Sequence, residues 1–312
     1  MKVPKILDDV RKAFVNPHWA IGVVDNYQSS DILYRNPENI YWFSPSGKYD
    51  FYADCFINDH FGEPLIFFEN WSSKRGTGII SYVKVSDVLK DTKNIEQYVG
   101  TALEGDTHFS YPYLFKYNGE LYMVPENFQS GNLIIYKAGK TPDVWKTASI
   151  ALPDYRGIDP VVFHYGEKWW LFVTPYSSMS RTAERKLEIW YADNPLDTWT
   201  PHPQNPINYP TSIARNGGQP FIHDDVLYRP TQDCSRTYGG ELAIMKITTL
   251  TPEHFLEELV KILPGHSPYE NAFHTFSSCG DIAVLDGNDA KYSLRMPFYF
   301  VKYVMNIFKR KK

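Results

Sequence analysis

Five copies of a short unit in this sequence open on residues able to bind or break a sugar linkage. Asp54, Tyr111, Asp159, Gln219 and His274 each stand at the start of a strand. In the first three copies, fifteen residues further on, come Glu69, Glu126 and Thr174, with Gln232 and Asp233 near the corresponding place in the fourth. Carboxylates gathered round one cavity are the minimum equipment for glycosidic-bond chemistry: one protonates the leaving oxygen, another activates the acceptor or stabilises an oxocarbenium-like sugar. Asp54, Glu126, Asp159 and Asp233 are therefore the candidate catalytic residues, with Glu69 a further carboxylate. The competing reading is structural. Asp159-Pro160 also suits a turn at a strand start, and Asp54 or Glu69 could tie neighbouring elements by hydrogen bonds.

Cations and imidazoles lie near the same positions. Arg215, Arg229 and Arg236 bracket the two strands of the fourth copy, and a guanidinium fork suits a carboxylate or phosphate. His108 and His274 precede or open strands, where an imidazole can donate to a hydroxyl or act as acid or base. With Tyr111, Gln232 and Tyr238 they complete the candidate substrate-binding set; salt bridges and core packing are the alternatives for each. No loop has the ligand spacing of a hard cation, so no metal residue is assigned and a divalent cofactor rests on no motif. The phosphate-binding loop, nucleophile elbow, zincin helix and dinucleotide fingerprint are all missing.

The elements that must hold these residues are short. Each copy is a strand, a turn and a second, aromatic strand, as in Tyr111-Pro-Tyr-Leu-Phe, Asn118-Gly119 and Leu121-Tyr-Met-Val-Pro-Glu126. Copies begin about 50 to 60 residues apart, and third strands follow, such as Leu187-Glu-Ile-Trp-Tyr191. The fifth copy, with Ile282-Ala-Val-Leu-Asp286, looks incomplete, while Trp19-Ala-Ile-Gly-Val-Val24 is a strand without a unit. Ring closure by that strand would complete it. The expected fold is all-β: a five-bladed β-propeller over 19–290, whose radial repetition leaves only short edges. A short segment, 1–18, precedes it, and an amphipathic helix is expected over 291–312.

Composition agrees with a folded β-protein. Of 312 residues 43% are hydrophobic and 16% aromatic, excluding a disordered chain, and a net charge of −4 gives no general attraction to nucleic acid. Three scattered cysteines suggest no disulfide framework, and the first residues lack the apolar core of a secretory signal, so a cytoplasmic location is expected. Phe298–Lys312 ends in four cations behind the apolar positions Phe300, Val301, Val304 and Phe308, the pattern of an anchor on an anionic membrane surface.

Several ordered strings carry a resemblance: Tyr228-Arg-Pro-Thr-Gln-Asp-Cys-Ser-Arg-Thr-Tyr-Gly239, His108-Phe-Ser-Tyr-Pro112, Val124-Pro-Glu126, Trp169-Trp-Leu-Phe172, Trp199-Thr-Pro-His-Pro-Gln-Asn-Pro206 and Phe273-His-Thr275. Over roughly residues 19 to 287 the chain resembles the N-terminal domain family of glucosamine inositolphosphorylceramide transferases. The resemblance implies a five-bladed propeller similar to glycoside hydrolase families 43 and 32, and a place in cell-surface polysaccharide or glycolipid synthesis. The chain departs from the pattern at Ala53-Asp54-Cys55, where Ala-Asp-Pro is usual, and at Arg215-Asn216-Gly217-Gly218, where Arg-Pro-Ala-Gly is usual. The expected activity is glycosyl transfer from a sugar or nucleotide sugar. Asp54 or Asp159 would be base or charge stabiliser, Glu126 the acid, and the three arginines would hold the donor's phosphate or an acidic sugar. A hydrolase with the same carboxylates and a non-catalytic glycan-binding propeller are the alternatives.

Overall fold

In a computed structural model of the chain, which describes residues 15–16, 18–176, 185–289 and 291–292, five antiparallel sheets form the blades of a propeller. Blade one comprises Phe51–Asn58, Leu65–Ser72, Thr77–Lys84 and Gly100–Leu103. Blade two follows with Ser110–Tyr117, Glu120–Glu126, Leu133–Ala138 and Trp145–Leu152. Blade three has Gly157–Tyr165, Lys168–Pro175, Lys186–Ala192 and the short Thr200–Pro201, with Ile207–Asn208 also pairing to its third strand. Blade four has Phe221–His223, Val226–Asp233, Glu241–Leu250 and Phe255–Leu263.

The fifth blade joins the two ends of the fold. Phe276–Cys279 and Ile282–Asn288 pair with Trp19–Asp25, which pairs in turn with Tyr41–Phe43. The expected closure by the early strand is what the sheet order shows. Beyond it, Val15–Asn16 pairs with Lys291–Tyr292. Those two residues are strand, where the sequence reading began its helix; the remainder of that expected helix lies outside the described residues.

Local sequence explains the hairpins. At Asn118-Gly119 and Asp224-Asp225 both turn residues have positive φ, as a two-residue loop of the right twist demands. The strands are then buried by one another. Between blades one and two Phe56 packs edge-on to Tyr111 and Tyr113, between two and three Phe115 meets Trp169, and between three and four Phe172 meets Phe255. Such pairs explain why so much of the chain is aromatic: each ring fills the wedge between sheets that diverge from the axis.

One irregularity recurs. The inner strands of blades one, two and three each lose register, between Ala53 and Phe56, Ser110 and Tyr113, and Ile158 and Val161. At each break a non-glycine residue is left-handed: Asp54 at φ 55°, Tyr111 at 46° and Asp159 at 47°. Such a conformation costs about 1–3 kcal/mol per residue and persists only where the surroundings impose it. Here it turns the residue's N–H out of its own ladder and towards the preceding blade.

Candidate functional site

Those displaced N–H groups are met by carboxylates. Asp54 N–H donates to Asp286 Oδ2 of blade five (3.0 Å), Tyr111 N–H to Asp54 Oδ2 of blade one (3.3 Å), and Asp159 N–H to Glu126 Oε2 of blade two (3.2 Å). Blade four differs: Gly218, ahead of its inner strand, donates its N–H to the Tyr111 hydroxyl across the ring (2.9 Å). A Cβ on Gly218 would stand 1.9 Å from the Phe276 carbonyl oxygen, so only glycine fits. Each carboxylate is thus anchored through a neighbouring blade's backbone. Both structural and chemical readings of these residues are satisfied by one arrangement.

Beside them lies a cavity of about 240 Å³ lined from all five blades. Its wall includes Asp54, Glu69, Glu126 and Asp159, with the Arg215 guanidinium and the imidazoles of His108 and His274. Aromatic faces edge it. Phe51 and Trp71 stack on each other at 5.3 Å, Trp19 stacks on His274 at 4.1 Å, and the half-exposed Tyr238 lies under the Arg215 guanidinium at 5.1 Å.

Burial pushes Asp54 up to about 6, opposed by the nearby His274 and aided by Asp159 and Asp286. Glu69 and Glu126 lie well above the ordinary carboxylate range, first because they are buried and then because carboxylates surround them. Asp159 has stronger company. Its Oδ2 accepts from Arg215 Nε and from Gln232 Nε2, each at 2.7 Å. Arg215 stays charged because, although burial opposes it, the Asp159 carboxylate more than compensates. His108 accepts the Gly78 N–H at Nδ1 (2.9 Å), so its proton sits on Nε2, 3.4 Å from Glu69 Oε1. Burial pulls this imidazole below its ordinary value, and it is a neutral donor.

Of the expected residues, the structure brings Asp54, Glu126, Asp159, His108, Arg215, Tyr238 and His274 to the cavity, together with Glu69. Five others sit elsewhere. Arg229 is fully buried in an ion pair with Glu257 and donates to Asn216 Oδ1 (2.9 Å), so its charge is spent inside the blade. Gln232 acts behind the wall, holding Asp159. Tyr111 is buried with its hydroxyl receiving Gly218. Asp233 Oδ1 accepts Ser235 N–H and closes a turn (2.8 Å), and Arg236 is exposed, 3.9 Å from Glu241. Asn216, where the family pattern has proline, donates to the carbonyl oxygens of Asp159 (2.7 Å) and Phe172 (3.0 Å), tying blade four to blade three.

Sequence reading passed over Asp286, Trp19 and Ser110. Asp286 ends the second strand of the fifth copy, where Glu69 and Glu126 end theirs, so the repeat contained the signal. Asp54, His274 and Asp286 bring ligand atoms within 4.8 Å of one another, the grouping among the described residues best placed for a cation. Nδ1 of His274 lies 2.7 Å from Asp286 Oδ2, and its Nε2 lies 3.4 Å from Asp54 Oδ1.

Known proteins share this framework. A rice protein, glucosamine inositolphosphorylceramide transferase 1 (Oryza sativa subsp. japonica), is 34% identical over 252 residues, 77% of this chain and 33% of its own length. Its namesake from Arabidopsis thaliana is 36% identical over 210 residues, covering 67% of this chain and 27% of the relative. The chain spans about a third of the length of these relatives. A thermostable family-43 glycoside hydrolase superposes with a TM-score of 0.53 at 12% identity over 82% of this chain and 89% of that one, showing the shared propeller fold. The model of the family "Glucosamine inositolphosphorylceramide transferase 1, N-terminal" matches residues 43–274, from the outer strand of the fifth blade to the cavity histidine. The chain belongs to that family.

Proposed function

We propose that this propeller is a carbohydrate-active enzyme that binds a sugar in its central cavity and acts there on a glycosidic bond, by transfer to an acceptor in glycolipid or cell-surface polysaccharide assembly. The observation that carries the reading is a set of buried carboxylates from three blades in one cavity, of which Asp54, Glu69 and Glu126 are all raised by burial and Asp159 is paired with Arg215. Glu126, raised well above the ordinary carboxylate range by burial, acts as the acid, with Glu69 beside it. Asp54, at about 6, is largely ionised at pH 7 and serves as base. Asp159, fixed by Arg215 and Gln232, stabilises positive charge developing on the sugar. Aromatic faces at Trp71 and Tyr238 offer stacking surfaces for the ring. Transfer, rather than hydrolysis, is favoured by the name of the relatives. In this reading the enzyme works at the cytoplasmic face of an anionic membrane, with Phe298–Lys312 as its contact.

The test is a mass-spectrometric turnover screen of the purified chain against nucleotide sugars, with lipid-linked and oligosaccharide acceptors and water. Asp54→Asn, Glu126→Gln and Asp159→Asn run alongside. Product lost by about a hundredfold or more in the folded variants supports the reading. Free sugar without acceptor product points to the hydrolase. Absence of product with every donor, with glycan binding retained in the variants, replaces it with a binding propeller.

A further inference from the structure

Both ends of the chain leave the propeller at one place. Asp54 and Asp159, early in their inner strands, and Glu69, Trp71 and Glu126, late in the second strands, all line the cavity. Its mouth therefore lies where first strands begin and second strands end. Trp19, which opens the closing strand of blade five, lines it too. Val15–Asn16, just before that strand, pairs with Lys291–Tyr292. Segments 1–14 and 293–312 thus set out side by side from the mouth end. The first has four cations and two acids, the second six cations and no acid: ten against two, a net charge of +8.

The other end of the ring is charged the opposite way. Antiparallel order puts ten connections there: 26–40, 59–64, 85–99, 118–119, 139–144, 166–167, 193–199, 224–225, 251–254 and 280–281. They hold fifteen Asp and Glu against four Lys and Arg, and none of these side chains is buried. Lys84, Lys116 and Lys168 of adjoining strands pair with Glu63, Asp59 and Asp193, which reduces the excess of eleven negative charges to eight. The mouth loops 44–50, 73–76, 104–109, 127–132, 153–156, 209–220, 234–240 and 264–275 hold six cations against five acids, and the four cavity carboxylates are buried. A negatively charged surface repels one end of such a molecule and attracts the other, turning it before contact. We propose that the propeller docks mouth-first on an anionic lipid surface, with 1–14 and 293–312 as adjacent basic contacts and the acidic end turned to solution. Phe298, Phe300, Val301, Val304 and Phe308 give the second segment apolar groups that lipid can take up and a nucleic acid cannot. The proposal rests on the membrane reading of Phe298–Lys312 above and adds which face meets the lipid.

Flotation of the purified full chain with vesicles of phosphatidylcholine, alone or with about a third phosphatidylserine, measures docking without any need for turnover. Sparse acylation of lysines by a water-soluble reagent then reads the face, since Lys48 and Lys74 at the mouth and Lys93 and Lys140 at the acidic end are all exposed. The expected result is binding to the anionic vesicles only, with Lys48 and Lys74 about tenfold less reactive there and Lys93 and Lys140 unchanged. Lys309→Gln, Arg310→Gln, Lys311→Gln and Lys312→Gln together should weaken that binding by about a hundredfold. Equal binding to both vesicles, unchanged binding of this variant, or protection at the acidic end would overturn the proposal. Self-association without vesicle binding would also overturn it, by giving the basic segments to the acidic end of a second copy. Mouth-first docking with an empty turnover screen sinks the enzyme reading and leaves the orientation standing; turnover without docking does the reverse.

Discussion

Arg215 looks from sequence like a free hand for an anionic substrate, and the structure makes a different demand of it. Nε lies 2.7 Å from Asp159 Oδ2, with side-chain exposures of 12% and 2%, so the pair is nearly dry. Removing one member of a buried pair costs about 3–5 kcal/mol, because the partner's charge is stranded. Asp159 would keep its 2.7 Å hydrogen bond from Gln232, which places Arg215→Met towards the lower figure, about 3 kcal/mol. In a domain of this size that is a fall of about 6–12 °C in melting temperature. Adding Asp159→Asn removes the stranded charge, and the double variant should recover about 2 kcal/mol relative to the sum of the singles. Urea unfolding of the four proteins at pH 7.5 measures the cycle. A loss below about 1 kcal/mol for Arg215→Met, or strict additivity, would refute the argument that this guanidinium is committed to Asp159, and would return it to the role of phosphate or uronate ligand.

Two other outcomes follow from the same cavity. Glu126 binds its proton more tightly folded than unfolded, so the stability this confers is complete below the ordinary value of 4.5 and is lost as pH rises through the folded value. Glu126→Gln, whose amide oxygen can still accept Asp159 N–H, should therefore gain stability over the native protein as pH is raised from 4.5 to 8 in denaturant titrations; a shrinking advantage contradicts the sign. Gly78→Ala would put a Cβ 2.7 Å from both Glu69 Oε1 and the Phe109 carbonyl oxygen and 2.8 Å from His108 Cε1. It should cost about 1–3 kcal/mol in thermal unfolding and move the ¹⁵N signals of His108, and unchanged signals would show that this wall is looser than drawn.

Repetition made the fold legible. Paired strands separated by Asn-Gly or Asp-Asp turns state their own geometry, and five copies leave few ways to bury them. Three of the five residues opening the copies, Asp54, Asp159 and His274, also line the cavity, and the bulge that aims the two aspartates recurs at one place in the unit, whereas Tyr111 and Gln219 do not reach it. What sequence could not say was which way each polar side chain turns. Arg229 lies between apolar neighbours in a strand whose two faces are equally plausible; only the approach of Glu257 from the next strand but one tells that its charge is consumed inside. Tyr111 occupies the same bulge as the two aspartates, but a phenol is long enough to cross to Gly218 and leaves the cavity to shorter groups. Asp286 was hidden by the weakness of the fifth copy, whose third strand lies more than 250 residues upstream, at Trp19–Asp25.

That borrowed strand sets an order of events during synthesis. Trp19 is among the first residues of the propeller to leave the ribosome, and its ring partner His274 and sheet partner Ile282–Asn288 are among the last. Contacts so distant along the chain are slow to form and costly to close. Four blades can pair their own strands as they emerge, yet the wall that carries His274, and the carboxylate beside it, arrive only when the ring is sealed. A nascent chain would thus expose an open cavity edge until the fifth blade is made, and a lesion in either strand of its closing pair, Trp19–Asp25 or Ile282–Asn288, would disable the site while leaving most of the sheets intact.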